Sequence, residues 1–209
     1  SVALRSPAHR VARALIERAG CPVAAPSANL FGAVSPTRAV HVRDSLGDAV
    51  ACVLDGGDCG VGVESTIVSL IGRPAVLRCG GIAIEAIEAV LGVVEVRLHS
   101  TDRPEAPGQL SRHYAPSKPL HVVTADSAHG DATAALLVTQ GSAPASSAGY
   151  GRVVELAADG DLRASAQGLF AAMRTLGDDP AVARIDAIGC DEVGLGRAIM
   201  DRLRRAAHP

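Results

Sequence analysis

The sequence predicts an α/β protein made of two units joined by a linker. Short apolar runs of strand length occur along the chain together with segments whose apolar residues recur at helical spacing. Of the 209 residues, 48% are hydrophobic and 20% are charged, which is the balance of a globular chain. A polar, proline-rich stretch over residues 99–119 interrupts both patterns. We therefore predict one unit over residues 1–98 and a second over residues 120–209.

The first unit contains predicted helices and strands that do not strictly alternate, which favours a mixed sheet. Ser6-Pro7 has the residue types of a helix start, and Gly20 those of a helix end. Ser35-Pro36 begins a second helix that reaches Leu46 and ends at Gly47. Strands are predicted at residues 22–25, 49–54, 67–70 and 75–78, the start at residues 1–5 is strand-like, and a third helix is predicted over residues 83–91.

The second unit has strands spaced by helices, which predicts a small, mainly parallel sheet. Asp161 caps a helix that ends near Gly177, and the closing amphipathic helix covers residues 195–207. The stretch Gly141–Gly151 is rich in Ser, Ala and Gly and is predicted to be a mobile loop. The strands of this unit are predicted at residues 120–123, 134–138, 153–156 and 187–190.

Composition excludes several classes of protein. The formal net charge is −2 and the pI is about 6.4, so bulk charge argues against a polybasic nucleic-acid binder. No apolar run approaches the ~18 residues that a membrane-spanning helix needs. Five cysteines form no CxxC pair, which indicates a reducing compartment, and we expect the cytoplasm. Lys118 is the single lysine, which excludes a P-loop.

Polar residues follow the ends of several predicted strands, where α/β sheets place their ligands. Hydroxyls, backbone N–H groups and one arginine suit a phosphate or a carboxylate. Taken singly, each serine among them is more often a turn or cap residue, and the arginine more often a surface ion pair. These segments are Ala25–Asn29, Ser35–Thr37, Val63–Thr66 and Arg78–Gly81.

The remaining chemical signatures are weak. The glycine clusters Gly56-Gly57 and Gly60-Val61-Gly62 match neither a dinucleotide fingerprint nor a P-loop and favour turns. The acidic residues Asp55, Asp58 and Glu64 have no metal-loop spacing. The histidines have no zinc-site spacing, and no GxSxG elbow occurs. We therefore predict no protein-held metal site and assign no catalytic residue.

The motifs are more specific in combination than singly. The first unit carries PVAAPSAN, SPT, LDGG, GVESTIV and LRCGG, beginning at residues 22, 35, 54, 62 and 77. The linker carries APGQLSRHYAP over residues 106–116, and the tail carries EVGLGRAIMDRL over residues 192–203. In this order they resemble the YrdC-like threonylcarbamoyl-AMP synthase family in its long, two-domain form. The resemblance covers essentially the whole chain.

The resemblance implies a fold and a reaction. The implied fold is the C-terminal part of a YrdC-like mixed, twisted-sheet domain, a linker that folds back as a lid, and a small Rossmann-like α/β domain. Members of the family condense L-threonine, bicarbonate and ATP, with Mg²⁺ on the nucleotide, into threonylcarbamoyl-AMP and pyrophosphate. The product serves the downstream machinery that modifies tRNA adenosine to threonylcarbamoyladenosine. A carbamate oxygen attacks the α-phosphorus in line, so positioning and charge neutralisation dominate the catalysis.

The resemblance also assigns binding residues. It implies that Arg5 and Ser65 contact L-threonine, with Ala25 contributing backbone contacts. The residues implied to line the ATP site are Ser1, Ser27, Ser35, Arg78 and Tyr114.

Two departures from the family pattern lead to further expectations. The family's first hundred or so residues, which include a Lys-x-Arg element for the ATP phosphates, have no counterpart here. Residues 1–5 match a strand inside the family domain. We therefore expect a truncated or split form that is inactive alone unless an upstream half associates. Cys79 stands where the family usually has proline, beside Arg78.

Two other readings stay open at this point. The chain could be a non-catalytic module that binds nucleotide or RNA, although its acidic balance and its scarcity of lysine argue against RNA. It could be a carbamoyl-transfer domain of the hydrogenase-maturation type, but the linker and tail motifs argue against that.

Overall fold

The computed structural model describes residues 1–98, 106–108 and 113–208, and its first unit contains a three-stranded mixed sheet. Strand β1 (Ile67–Ser69) pairs antiparallel with β2 (Ala75–Arg78), and β2 pairs parallel with β3 (Glu95–Val96). The predictions of a mixed sheet and of strands at β1 and β2 are confirmed. Most of the predicted linker, residues 99–105 and 109–112, lies outside the described residues.

The helices of this unit are α1 (Arg10–Ala19), α2 (Ala39–Leu46) and α3 (Ile84–Leu91). The first two begin three or four residues later than predicted. His9 hydrogen-bonds the Gly56 carbonyl through its side chain (3.3 Å), which ties the residue before α1 to another segment. The Thr37 N–H donates to His41 Nδ1 (3.1 Å), and the Thr37 carbonyl accepts from the Cys59 N–H (2.9 Å). These bonds hold the chain extended up to Arg38.

The strands predicted at residues 22–25 and 49–54, and the strand-like start at residues 1–5, are not formed. Residues 47–49 form a short 3-10 helix instead, and Leu54 is 58% exposed. An apolar, β-prone run becomes a strand only when another strand accepts its N–H and C=O groups. Among the described residues none of these three runs pairs with another strand, so none of them forms one.

The second unit is a four-stranded sheet in the order β4-β7-β5-β6, and all three pairs are parallel. The prediction of a mainly parallel sheet is confirmed. Strand β7 begins three residues and ends two residues before its predicted position, and it includes the charged Arg184 and Asp186, whose side chains pair at 3.4 Å. The strands are β4 (Leu120–Val123), β5 (Ala134–Val138), β6 (Arg152–Glu155) and β7 (Arg184–Ile188).

Helices α4 (Leu162–Asp178) and α5 (Gly196–Ala206) pack on one face of this sheet. Asp161 caps α4 as predicted, accepting from the Arg163 N–H at 2.8 Å. The alternate residues of β5 face a second, smaller core that includes Tyr150. Part of the predicted loop over residues 141–151 forms a 3-10 helix, Ala145–Gly149. In the portion of the chain that is described, no helix combines the length and apolar character needed to cross a bilayer.

The two units share one hydrophobic core. Val34 and Val76 of the first unit belong to the same buried cluster as Phe170, Met173 and Ile199 of the second. Gly62 has a φ of +81°, and a Cβ there would overlap the backbone of α4. Helices α4 and α5 therefore pack against the first unit close to the polar segments that follow its predicted strands.

Candidate functional site

Four of the predicted binding residues meet where the first unit packs against α5. We call this group the junction cluster: Ser35, Glu64, Ser65, Arg78, Tyr114 and Arg202. A close approach of two backbone segments builds it. The Gly81 N–H donates to the Glu64 carbonyl (3.0 Å), and a Cβ on Gly80 would overlap the backbone of residues 64–66. Glycine at position 80 therefore allows Arg78 and Ser65 to lie side by side.

The Arg78 guanidinium is hydrogen-bonded to Ser65. Nε and Nη2 of Arg78 donate to the Ser65 carbonyl at 3.1 and 2.9 Å, and Nη2 also reaches Ser65 Oγ at 3.4 Å. Nη1 donates to the Pro107 carbonyl of the linker at 3.3 Å. Burial, opposed by nearby Tyr114 and Glu64, lowers the pKa of Arg78. The guanidinium remains a cation at neutral pH and ties together two segments to which family resemblance assigns substrate contacts.

Glu64 occupies the centre of the cluster. Its Oε1 accepts a hydrogen bond from the Ser35 hydroxyl (2.5 Å), and its Oε2 accepts from Arg202 Nε (2.8 Å). Burial by itself would raise the pKa of Glu64, but the Arg202 charge and the Ser35 hydroxyl hold it below its ordinary value. Glu64 is therefore a carboxylate at neutral pH, and it fixes the direction of the Ser35 O–H bond.

Tyr114 is the buried aromatic of the cluster, with 1% of its surface exposed. Its backbone has a φ of +63°, a conformation that non-glycine residues rarely adopt. The ring stacks on Phe170 at a centroid distance of 5.5 Å and lies 5.1 Å from the Arg202 guanidinium carbon. Burial raises the pKa of Tyr114, so its phenol is neutral at physiological pH. The predicted lid residue thus packs against the second unit.

The linker histidine beside it is also partly buried. The His113 ring lies edge-on to Tyr114, with centroids 4.0 Å apart. Burial lowers the pKa of His113, so its imidazole is neutral at pH 7. Its Nδ1 is buried and has no hydrogen-bond partner among the described residues. The structure therefore holds an unused polar atom on the linker next to the cluster.

Arg202 of α5 is fully buried and supplies the cluster's second cation. Besides Glu64, its guanidinium donates to Asp201 (2.6 Å) and to the Cys79 carbonyl (2.9 Å). Burial by itself would lower the pKa of Arg202, but Tyr114 and the two carboxylates keep it raised. Asp201 also accepts from Arg205 Nε (2.9 Å), so the two carboxylates face two arginines of α5, and Arg78 adds a further positive charge.

The other predicted binding residues lie elsewhere. Ser1, Arg5, Ala25 and Ser27 are exposed, in the unpaired stretches before α1 and before residue 28. No hydrogen bond or ion pair in the described part of the chain joins them to the junction cluster. Nearby, Asn29 donates to the Ala33 carbonyl (2.9 Å), and its Oδ1 is buried without a partner among those residues. The assignment of substrate contacts to all eight residues stays a prediction.

Sequence reasoning gave no role to two members of the cluster, Glu64 and Arg202. Both lie inside motifs named in the sequence analysis, and the position of Arg202 within its helix could have indicated a buried role. It follows Ala198 and Ile199 by four and three residues, which places it on the apolar face of α5. A charged residue on a buried helix face requires a buried partner. That requirement could have pointed to a carboxylate of the first unit.

Other features lie away from the cluster. A cleft of about 230 Å³ is lined by Thr37, Arg38 and Asp58 on one side and by Gln167 of α4 on the other, but by none of the eight residues to which the resemblance assigns substrate contacts. Within residues 1–98, 106–108 and 113–208, no three His, Cys, Asp or Glu side chains gather closely enough to hold a metal ion. The junction cluster is therefore the candidate functional site.

Two family models match consecutive parts of the chain. One, described as "Threonylcarbamoyl-AMP synthase, C-terminal domain", matches residues 82–208. The other, described as "Telomere recombination", matches residues 1–80. Together they cover both units, and the first alone covers more than half of the chain.

Curated relatives agree with the family models. The chain is 39% identical over 221 residues to the threonylcarbamoyl-AMP synthase of Bacillus subtilis and covers 63% of that protein. It is 40% identical over 220 residues to the enzyme of the same name from Pyrococcus abyssi and covers 64% of it. Each match includes 99% of this chain. The chain therefore spans slightly less than two thirds of the length of these relatives.

Solved structures show the same likeness. A crystal structure of P. abyssi Sua5 complexed with L-threonine matches 97% of this chain and 63% of its own, with a TM-score of 0.83 and 35% identity. A variant of that protein, with a neighbouring histidine and tyrosine replaced by alanine, matches with a TM-score of 0.80 and 34% identity. The likeness extends over both units and confirms the predicted fold class.

Proposed function

Because the chain belongs to the threonylcarbamoyl-AMP synthase family, we propose that it contributes the Ser35, Ser65, Arg78 and Tyr114 side of a site that makes threonylcarbamoyl-AMP. The substrates are L-threonine, bicarbonate and Mg²⁺-bound ATP, and pyrophosphate is the second product. The amine of threonine and bicarbonate form a carbamate with loss of water. A carbamate oxygen then bonds to the α-phosphorus of ATP as the bond to the leaving pyrophosphate breaks.

One observation carries the proposal. Of the eight binding residues that the family resemblance assigns, four that are far apart in sequence lie in a single group, which is joined by hydrogen bonds and by the contact of Arg202 with the Tyr114 ring. Hydrogen bonds link Arg78 to Ser65 directly and Ser35 to Glu64, the residue that precedes Ser65. Such convergence is expected of a ligand site and has no counterpart elsewhere in the described chain.

The chemistry of the group suits these substrates. Arg78 offers a cation with planar donor geometry, which favours a phosphate or a carboxylate. Ser35 and Ser65 offer hydroxyl oxygens beside it. Phosphoryl-group transfer asks the protein chiefly to position the substrates and to neutralise their charge. Mg²⁺ arrives with ATP as part of the substrate and would be held mainly by phosphate oxygens.

The proposal includes a dependence on more chain than these 209 residues. The chain covers 63% and 64% of its two curated relatives. Large apolar side chains of the first unit stand in solvent, including Val2 (78% exposed), Leu4 (88%), Phe31 (88%) and Val93 (94%). Large apolar side chains left in solvent in such number are expected where other protein packs. We propose that a polypeptide of these residues alone is inactive and that the rest of a relative's length completes the site.

Pyrophosphate release from ATP tests the proposal. The assay is run with and without L-threonine and bicarbonate, on the 209 residues alone and mixed with a polypeptide that supplies the part of a relative that this chain does not cover. We expect release only in the mixture, and only with both co-substrates. L-Serine in place of L-threonine serves as the substrate control.

Each alternative outcome has a distinct meaning. Release by the 209 residues alone would overturn the dependence on further chain and keep the reaction. Absence of release from a mixture whose parts are folded and associated would overturn the reaction. In that case, a salt-dependent shift of tRNA mobility would favour the nucleic-acid-binding module instead.

A further inference from the structure

We propose that Arg202 is a positioning residue through which helix α5 sets the geometry of the substrate site in the first unit. This inference rests on the proposed function and concerns the same site. Arg202 lies in the second unit, far from the other cluster residues in sequence, and it acts through the groups that it holds.

One guanidinium touches three separate segments of the site. Its Nε donates to Glu64, whose neighbour Ser65 is a predicted L-threonine contact. Its Nη2 donates to the Cys79 carbonyl, next to the predicted ATP contact Arg78. Its Cζ lies 5.1 Å from the ring centre of Tyr114, the predicted lid residue. A single side chain thus fixes the relative placement of residues 64, 79 and 114.

The consequence for Ser35 follows from hydrogen-bond stoichiometry. A serine hydroxyl has one hydrogen to donate and two lone pairs that accept. The Ser35 hydroxyl donates its hydrogen to Glu64 Oε1, while Arg202 Nε donates to Oε2 of the same carboxylate. The Ser35 oxygen therefore faces any ligand as an acceptor in a fixed direction. Loss of Arg202 would release the carboxylate and, with it, this direction.

Burial makes this arrangement rigid. Arg202 has none of its side-chain surface exposed, and Asp201 and Glu64 are 11% and 19% exposed. A buried ion pair of this kind adds little stability over an apolar replacement, but removal of one partner leaves an uncompensated buried charge. In this protein we assign the pair the role of specifying geometry, because the groups that it holds belong to the candidate site.

A second reading is that Arg202 only joins the two units. Other arginines already do so: Arg174 of α4 donates to the carbonyls of Val34 and Ser35, and Arg197 of α5 pairs with Glu85. What distinguishes Arg202 is contact with the side chain of Glu64 and with Tyr114. The two readings differ in which amides become mobile when Arg202 is changed.

Hydrogen exchange on the full chain separates these readings without requiring activity. The variants are R202M, R202K, which keeps the charge but loses the planar fork, and the control R204M. Arg204 lies on the same helix but is 56% exposed and pairs with Glu192 of its own unit. In R202M we expect exchange in peptides covering residues 62–68 and 78–82 to accelerate by about tenfold or more, with residues 134–138 of β5 unchanged. R202K should show a smaller change in the same peptides.

R204M should match the unsubstituted chain in every peptide. Unchanged exchange in both site peptides of R202M would overturn the proposal. Equal acceleration in the site peptides and in β5 would also overturn it, because Arg202 would then stabilise the fold in general. If R202M fails to fold, R202K decides by the same comparison.

The activity measurement is made on the preparation that releases pyrophosphate. We expect R202K to lower kcat/KM for ATP by about tenfold or more, while R204M leaves it unchanged. Unchanged kcat/KM in R202K would overturn the catalytic part of the proposal. If the mixture with the unsubstituted chain releases no threonine-dependent pyrophosphate, the proposed function fails, and the exchange experiment still decides whether Arg202 positions these segments.

Discussion

The Tyr150 hydroxyl donates a hydrogen bond of 2.8 Å to the carboxylate of Asp186, on strand β7 of the parallel sheet. Asp186 is 5% exposed and also accepts from Arg184 Nε at 3.4 Å. A carboxylate inside a sheet core requires such partners. Burial, together with this carboxylate, raises the pKa of Tyr150 to about 12.

Alkaline titration should therefore find Tyr150 protonated in the folded protein at pH 10, and Tyr114 less ionised than an exposed tyrosine, because its pKa is also raised. The chain has two tyrosines and no tryptophan, and burial raises the pKa of Tyr114 as well. Absorbance at 295 nm reads both phenolates, and unfolding in urea at pH 10 should make about half of them appear. Because the folded pKa of each tyrosine exceeds its unfolded value, its stabilising contribution is present below about pH 10 and is lost as the pH rises through the folded pKa, which for Tyr150 is about 12. Y150F isolates Tyr114, and half-ionisation near pH 10 in the folded state would contradict the expectation.

Replacing Tyr114 by alanine should destabilise the protein by about 3–5 kcal/mol. The ring is buried between Phe170 and the Arg202 guanidinium, so its loss leaves a cavity and removes a face from a buried cation. Y114F keeps the ring and should cost only about 1 kcal/mol. Urea unfolding followed by circular dichroism measures both values. Equal losses for the two variants would show that the hydroxyl rather than the ring carries the effect.

Replacing Gly62 by alanine should destabilise more than the same change at Gly57. Both glycines have left-handed backbones, with φ of +81° and +86°. At Gly62 a Cβ would overlap the backbone of Ala166 and Gln167 in α4, whereas at Gly57 nothing lies within 4 Å. We expect G57A to cost about 1 kcal/mol from backbone strain and G62A about 2 kcal/mol more from the overlap. Similar costs in urea unfolding would mean that the two units do not pack as described.

Replacing Arg78 by lysine should weaken ATP use by about 10- to 100-fold in kcat/KM, because a lysine cannot donate two parallel hydrogen bonds. Two of the guanidinium nitrogens now hold the Ser65 carbonyl. The control is R73K, at an exposed arginine in the turn between β1 and β2. Pyrophosphate release in the mixture described above gives both values. A matching decrease in R73K would point to a general effect of arginine content.

The sequence predicted the second unit better than the first, and the reason is physical. In the second unit every strand has its partners within the same stretch of chain, so periodicity and caps such as Asp161 located all four strands to within three residues. In the first unit the run at residues 49–54 has the composition of a buried strand, but pairing depends on a neighbour that local pattern cannot supply. Strand β3 was missed because two residues carry too little pattern.

The residues of the candidate site that belong to recognised motifs were predictable from the sequence. The contacts that depend on packing between the two units were not. Ser35, Ser65, Arg78 and Tyr114 came from ordered motifs, and the structure brings them together. The connection from Arg202 to Glu64 spans most of the chain, and no spacing rule relates the two residues. The contact between Arg202 and Glu64 forms only because α5 packs against the first unit.

The strand order β4-β7-β5-β6 has a consequence for how the protein is made. During translation β4 and β5 leave the ribosome well before β7, which must enter between them. Their facing edges stay unpaired until β7 has emerged, and α5, which carries Arg202, follows later still. The nascent chain therefore exposes unpaired strand edges that can pair with other chains, and binding of a chaperone would protect it from aggregation. The junction cluster is therefore completed only after α5 has been made.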